Sequence, residues 1–181
     1  DEGAARLGRV ADDPRHEAEI LLGAALGRTR AFLLAHPEQR ILDCEATDRY
    51  EAHVTRRSHG EPVAYVLGEK EFWSLPLEVT PDVLIPRPET ELVVELALTH
   101  LPREKQARVL DLAAGSGAIA LALASELPRT TVVGTDISAA AIAYMSSAGY
   151  TYHFQDGVEA RVPGPDHPVQ DGTAAMLLEV A

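Results

Sequence analysis

The sequence is short of basic residues, has a single cysteine and contains no long apolar run. Each shortage excludes something. Lysine and arginine number 16 against 28 aspartates and glutamates, a formal net charge of −12. A protein that wraps a nucleic acid backbone needs a basic face, so no direct nucleic acid partner is expected, although this balance still allows a local basic patch. The lone Cys44 excludes an internal disulfide and a cysteine metal cluster. It reads as a plain thiol rather than a nucleophile. The seven histidines are scattered without ligand spacing, so no metal is implied. No apolar stretch approaches the roughly 20 residues that a membrane span needs. The opening residues are acidic and mixed, unlike a signal peptide. The expected compartment is the cytoplasm, with no membrane partner.

What is present is 181 residues, 46% of them apolar. That is enough for one good-sized domain or two small ones with a real core. The chain opens on Asp1 rather than methionine and stops inside the strand-like "AAMLLEVA", so both ends read as cut.

The chain is written in two grammars. From about Asp13 to Gly60 it is helical. In "DPRHEAEILLGAALG", Asp13 is a candidate N-cap, Pro14 fits the first helical position and Gly27 is a stop. Ala18, Leu21, Leu22, Ala25 and Leu26 share one face at 3.6-residue spacing. "RTRAFLLAHP" predicts a second helix ended by Pro37, and "EATDRYEAHVTRRSHG" a third ended by Gly60. Tyr50 and Val54 lie on the apolar face of the third, with Arg56, Arg57 and His59 forming a basic turn. This region reads as a small helical bundle with a solvated basic turn, or alternatively as a platform for a partner protein or RNA.

The stretch "EPVAYVLGEKEFWSLPLEVTPDVLIPRPETE" has β character. Glu71-Phe72-Trp73 and Leu77-Glu78-Val79 flank Ser74-Leu75-Pro76, which predicts a hairpin. Trp73, the only tryptophan, is expected to pack at a junction between two domains, or else to stack on a substrate. From Arg108 the pattern alternates. "RVLDL" and "TVVGTD" are strand-like, "AIALALASEL" and "SAAAIAYMSS" are helix-like with Ser138 as a cap, and "YTYHFQD" reads as a further strand. Such alternation predicts a parallel sheet with right-handed crossovers.

Ligands of such sheets bind at the carboxyl ends of the strands. There "DLAAGSG" places Gly115 and Gly117, which allow close backbone approach and unusual dihedrals. Asp136 ends the next strand about 20 residues on, where an acid can accept both hydroxyls of a ribose. A nucleoside-bearing cofactor is the natural guest, against the plainer reading of a tight turn. "GSGAIA" fits the loose dinucleotide pattern G-x-G-x-x-G/A, which would seat a pyrophosphate at the helix N-terminus. S-adenosylmethionine carries no phosphate, and Asp111 at the head of the loop could face its ammonium group. Asp111 could equally be a strand-end turn former.

"GEPVAYVLGEKEFWSLPLEVTPDVLIPRPETELVVELAL" followed by "VLDLAAGSGAIALALA" resembles the HemK/PrmC family from about Asp13 to Asp136. Members of that family are S-adenosylmethionine-dependent methyltransferases that modify the glutamine of the Gly-Gly-Gln motif in peptide chain release factors. The resemblance implies that Ala113, Ala114, Gly115, Ser116 and Gly117 form the cofactor loop. The family commonly has glycine where Ala113 stands. It implies further that Asp136 holds the ribose, and that Asp156 sits near the adenine. Arg87, Pro88, Glu89, Thr90 and Glu91 match the segment that opens the family's catalytic domain beside the cofactor. They are also compatible with a structural role, Thr90 and Glu89 falling where a capping box would start a helix.

One departure is large. The family's Asn-Pro-Pro-Tyr, which orients the substrate glutamine, does not occur here. An amide nitrogen is a weak nucleophile, so that transfer depends on positioning and on electrostatic stabilisation. The tail reads as if an internal segment had been removed. Either a catalytic segment lies outside these residues, or the chain is a shortened relative that binds cofactor without methylating.

The expected fold is therefore α/β. It comprises a helical N-terminal substrate-recognition domain (1–68), a β-hairpin linker (69–84) and a Rossmann-like class I methyltransferase domain (85–181), the last apparently incomplete. The expected function is glutamine N5-methylation of release factors by a monomer, with S-adenosylmethionine as donor and the catalytic residues unassigned. The alternatives are a non-catalytic S-adenosylmethionine-binding relative and an NAD-dependent oxidoreductase.

Overall fold

The computed structural model describes residues 2–39, 43–104, 106–138, 140–141 and 174–178. The chain divides into two compact units, Asp1–Gly68 and Glu69–Ala181.

The described part of the first unit is helical. α1 (Glu2–Leu7) precedes the region read as helical from the sequence. α2 (Pro14–Leu26) begins as its sequence dictates: the Asp13 side chain accepts the His16 amide, Pro14 opens the helix and Gly27 ends it in the left-handed conformation. Ala18, Leu21 and Ala25 are buried, while Leu22 and Leu26 are only half-buried. α3 (Arg30–Ala35) is capped by Thr29 and buries none of its residues. α4 (Cys44–Ser58) is capped by Asp43, whose side chain accepts the Ala46 amide. Its first residue, Cys44, is free and exposed. α5 (Val63–Leu67) falls where "EPVAYVLG" reads as β. Five residues are too few to show a 3.6 period, but Pro62 before them and Gly68 after them, at φ 75°, bracket a single short helix. Leu7, Ala18, Leu21, Val54 and Val66 form the core, with Tyr50 packed against it.

The basic turn is not a free platform. Arg57 is only 11% exposed and donates to Glu17 at 2.6 Å. It also reaches the Val10 carbonyl at 2.6 Å. Arg56 holds Glu61 and donates to the carbonyls of Tyr65 and Val66. Both guanidinium groups tie α4 to the chain around it.

In the second unit, β1 (Glu69–Phe72) and β2 (Leu75–Glu78) pair antiparallel, Glu69 opposite Glu78 and Phe72 opposite Leu75. The turn is Trp73-Ser74, one position earlier than "SLP" suggests. Both residues have positive φ, 53° and 60°, as a two-residue type I′ hairpin turn requires. Pro76 sits within β2, tolerated in a two-stranded sheet. Phe72 and Leu77 are buried with Val94, Leu121, Leu123, Leu127 and Val132. Trp73, expected at a junction between domains, works inside this unit. Its amide donates to Glu91 and its indole N–H to Glu126, each at 3.0 Å. Glu126 also accepts from Arg103.

A 3₁₀ turn (Pro88–Thr90) leads into α6 (Glu91–His100). β3 (Ala107–Leu112), α7 (Ala118–Glu126) and β4 (Thr130–Asp136) follow. β3 and β4 run parallel from Ala107 opposite Thr130 to Leu112 opposite Thr135, with α7 as the crossover. α7 is apolar almost all round and buried at Ala118 and at Ala120 through Ala124. β5 (Ala174–Leu178) pairs with β4 antiparallel, Asp136 opposite Ala174. The sheet is therefore mixed, in the order β3-β4-β5, where an all-parallel sheet was expected. Successive side chains of β3 point to opposite faces. Val109 packs into the core, while Leu110 and Leu112 are 58% and 70% exposed. Ser138 accepts the Ala141 amide at 3.2 Å, as expected of a cap. The rest of that helix and the strand read at "YTYHFQD" lie outside the described residues.

Arg57→Ala is expected to destabilise the first unit by about 2 kcal/mol, since hydrogen bonds to charged groups are lost and Glu17 is left unpaired. Guanidinium denaturation followed by circular dichroism checks this. A change no larger than that of an exposed arginine would contradict the structural role given to it.

Candidate functional site

The loop from Ala113 to Gly117 joins β3 to α7 at the carboxyl end of the strand. Its backbone is held from both sides. The Ala114 amide donates to the Thr135 carbonyl at 2.9 Å, and the Gly117 amide to the Ala114 carbonyl at 2.8 Å. The Gly115 amide donates to Asp136 Oδ2 at 2.8 Å. The other oxygen of Asp136 accepts the Ser138 amide at 2.8 Å. Three residues of the loop have left-handed φ: Ala113 at 58°, Gly115 at 57° and Gly117 at 79°. Gly115 and Gly117 suit this geometry because they lack a β-carbon.

Asp111 reaches forward to α7. Its Oδ2 accepts the amide of Ala120, the third residue of the helix, at 3.1 Å. Gly117 occupies the cap position and offers no side chain, so a carboxylate on the preceding strand takes the cap's place. Burial pushes the Asp111 carboxyl above its ordinary 3.8. The Ala120 amide opposes that rise, and the nearby charge of Asp136 adds to it. Among the described residues no cationic side chain pairs with either acid.

This arrangement selects among nucleoside ligands. A pyrophosphate at a helix N-terminus needs free amides and a positive field. Here the Gly115 and Ala120 amides already hold the protein's own carboxylates. Two acids with no cationic partner among the described residues instead favour a ligand bearing positive charge, such as the sulfonium and ammonium of S-adenosylmethionine. A β-carbon placed on Gly115 would meet nothing within 4 Å. Each Asp136 oxygen spends one acceptor site on an amide and keeps another for a ribose hydroxyl.

The structure thus brings together Asp111, Ala113, Ala114, Gly115, Ser116, Gly117 and Asp136. Ser116, within the loop, is buried. The structure does not tie Arg87, Glu89, Thr90 or Glu91 to the loop by any hydrogen bond among the described residues. Arg87 and Glu89 are exposed. Thr90 makes no side-chain cap bond, so the capping box is not formed. Glu91 serves the hairpin turn at Trp73. Asp156 lies outside the described residues. Thr135 was not singled out from the sequence, yet its carbonyl holds Ala114 and its hydroxyl donates to the Asp111 carbonyl at 3.4 Å. A threonine one step before a strand-end acid carries no sequence signal of that task. No group of histidine, cysteine and carboxylate side chains suited to a metal occurs among the described residues, and no described helix is long and apolar enough to cross a membrane.

Known proteins share both parts of the chain. Residues 1–68 match the family model described as the PrmC N-terminal domain, and residues 90–170 match the methyltransferase small domain. The chain belongs to the HemK/PrmC family. A release factor glutamine methyltransferase of Coxiella burnetii is 52% identical over 137 residues, covering 76% of this chain and 49% of that protein. One from Escherichia coli K12 is 51% identical over 128 residues, 71% of this chain and 46% of its own length. One from Koribacter versatilis is 46% identical over 129 residues, covering 71% and 46%. The chain spans about half the length of the curated relatives it matches. Its 181 residues contain no asparagine at all, so the family's glutamine-orienting Asn-Pro-Pro-Tyr is not among them.

Asp111→Asn keeps an oxygen to accept the Ala120 amide and removes the charge. The raised carboxyl contributes stability that is present below 3.8 and lost as pH rises through its elevated value. The wild type is therefore expected to lose stability relative to Asp111→Asn between about pH 4 and neutrality. Denaturant titrations of both proteins across that range check this, and a difference independent of pH would contradict it.

Proposed function

We propose that this chain carries the cofactor-binding loop and the N-terminal region of a release factor glutamine methyltransferase with S-adenosylmethionine as methyl donor. One observation carries the reading. Asp136 holds the Gly115 amide and Asp111 the Ala120 amide, and those two acids have no cationic partner among the described residues. The names borne by the matched relatives supply the acceptor, the glutamine of a peptide chain release factor. When bound, the cofactor supplies an electrophilic methyl group on a positively charged sulfur. The chain's own residues have defined tasks. Gly115 and Gly117 admit the ligand, Asp136 takes the ribose hydroxyls, and the free oxygen of Asp111 faces the ammonium. Arg87 and Glu89, both exposed, are the residues of "IPRPETE" left free to meet the substrate side.

The fold assigned with this function is a Rossmann-like class I methyltransferase domain, preceded by a hairpin (69–84) and a helical substrate-recognition domain (1–68). A monomer acting in the cytoplasm fits a chain of this charge. A second reading is favoured by one feature, the missing asparagine: a relative that binds the cofactor and does not transfer the methyl group.

Methyl-labelled S-adenosylmethionine, incubated with the protein and a release factor, tests this. Label on the glutamine of Gly-Gly-Gln is the expected result. Cofactor bound with no transfer would leave the second reading standing. Asp136→Ala is expected to weaken binding about tenfold, about 1.4 kcal/mol, and unchanged affinity would contradict the ribose assignment.

A further inference from the structure

We propose that Arg28, stacked on a ring of α3, is a docking point for a carboxylate on the surface of the release factor. The inference rests on the acceptor named in the reading above and adds a surface that the reading does not use. It starts from the charges of the first unit. Arg6, Arg15, Arg30, Arg49, Arg56 and Arg57 each have a carboxylate within 4.0 Å. Arg28, exposed in the turn between α2 and α3, has none among the described residues.

Its side chain is nevertheless placed. The guanidinium carbon lies 5.1 Å from the centroid of the Phe32 ring, within the range of a cation–π contact. Phe32 stacks in turn on His36, with ring centroids 4.4 Å apart and 26° between the planes. The His36 Nδ1 donates to the Phe32 carbonyl at 2.9 Å, which orients the imidazole. Arg28, Phe32 and His36 recur every fourth residue and so line one side of the segment. The backbone beneath is fixed as well. The Arg28 amide donates to the Gly23 carbonyl at 2.8 Å, and Thr29 accepts the Phe32 amide at 3.2 Å. Gly23 allows this turn, since a β-carbon there would lie 2.7 Å from the Arg28 carbonyl oxygen.

A guanidinium stacked by its face keeps its edge for a carboxylate, which it can meet with two parallel N–H donors. The ring already restricts the side chain, so less freedom is lost when a partner binds. Beside the stack the surface is apolar: Ala31 and Ala35 are exposed, and Leu34 is 53% exposed. Charge complementarity therefore selects a protein segment that carries an acidic residue beside apolar ones. A nucleic acid backbone would call for a run of cations, against a chain of net charge −12.

The experiment is calorimetric titration of a release factor into wild type, Arg28→Glu, Arg28→Lys and Arg9→Glu, each shown to be folded by circular dichroism. Arg9 is the control: it too is exposed and without a carboxylate partner among the described residues, but no ring supports it. Arg28→Glu is expected to weaken binding about tenfold. Arg28→Lys should weaken it about threefold, because the ammonium keeps the charge and loses the planar fork. Arg9→Glu should bind like wild type, and the affinity for S-adenosylmethionine should not change in any variant. Equal losses in Arg9→Glu and Arg28→Glu would overturn the proposal, since net charge alone would then account for them. Wild-type affinity in Arg28→Glu would overturn it outright, and in Arg28→Lys would overturn the role of the stack. A wild type that binds no release factor would overturn the acceptor reading itself. The two failures differ, since the Arg28 proposal fails alone only in a protein that binds one.

Discussion

Everything at the candidate site depends on two carboxylates that occupy backbone amides. Asp136, at the end of β4, holds Gly115 of the loop and Ser138 beyond the strand. Asp111, at the end of β3, holds the first turn of α7. Strand ends, loop and helix start are thereby fixed to one another by side chains from two adjacent parallel strands. The same bonds decide the electrostatics. Helix N-termini of this class commonly present amides to an anion, and here the anion is built in. What remains is an acidic mouth with residual acceptor sites and open space beside Gly115.

The rest of the second unit supports that arrangement. α7 is buried nearly all round, which sets the start of the helix against β3 and β4. Its far end is tied by Glu126 to the Trp73 indole and to Arg103. Trp73 is held in turn by Glu91 at the start of α6. A residue that looks like part of a substrate segment thus serves the hairpin. The opposite sheet face keeps Leu110 and Leu112 exposed, in a chain that spans about half the length of its curated relatives.

Local signals made much of this legible. Asp13, Pro14 and Gly27 mark the ends of α2 by mechanisms confined to a few residues. The "DLAAGSGAIALALA" run announces a strand, a tight loop and a buried helix, because Gly115 and Gly117 need left-handed backbone and the alanines suit a helix without a polar face. What escaped depends on distance in sequence or on brevity. α5 is too short for periodicity. The antiparallel β5 is fixed by its partner rather than by its own residues. The hairpin turn falls at Trp73-Ser74, neither of them a usual left-handed residue, because Glu91 and the buried Phe72 and Leu77 settle the register. Thr135 serves the loop through its carbonyl, which no side-chain pattern reports. Asp111 was read as facing a ligand or shaping a turn, and its carboxylate on the Ala120 amide shows a third task, capping a helix from the preceding strand.

The central claim is that the loop takes a positively charged nucleoside rather than a dinucleotide, because Asp136 and Asp111 place two carboxylates on its Gly115 and Ala120 amides. Calorimetric titration of the protein with S-adenosylmethionine and, in the same buffer, with NAD tests it most directly. The account predicts saturable binding of S-adenosylmethionine at one site and no saturable heat with NAD. Tighter binding of NAD would contradict it, since a pyrophosphate would then be accepted beside two carboxylates.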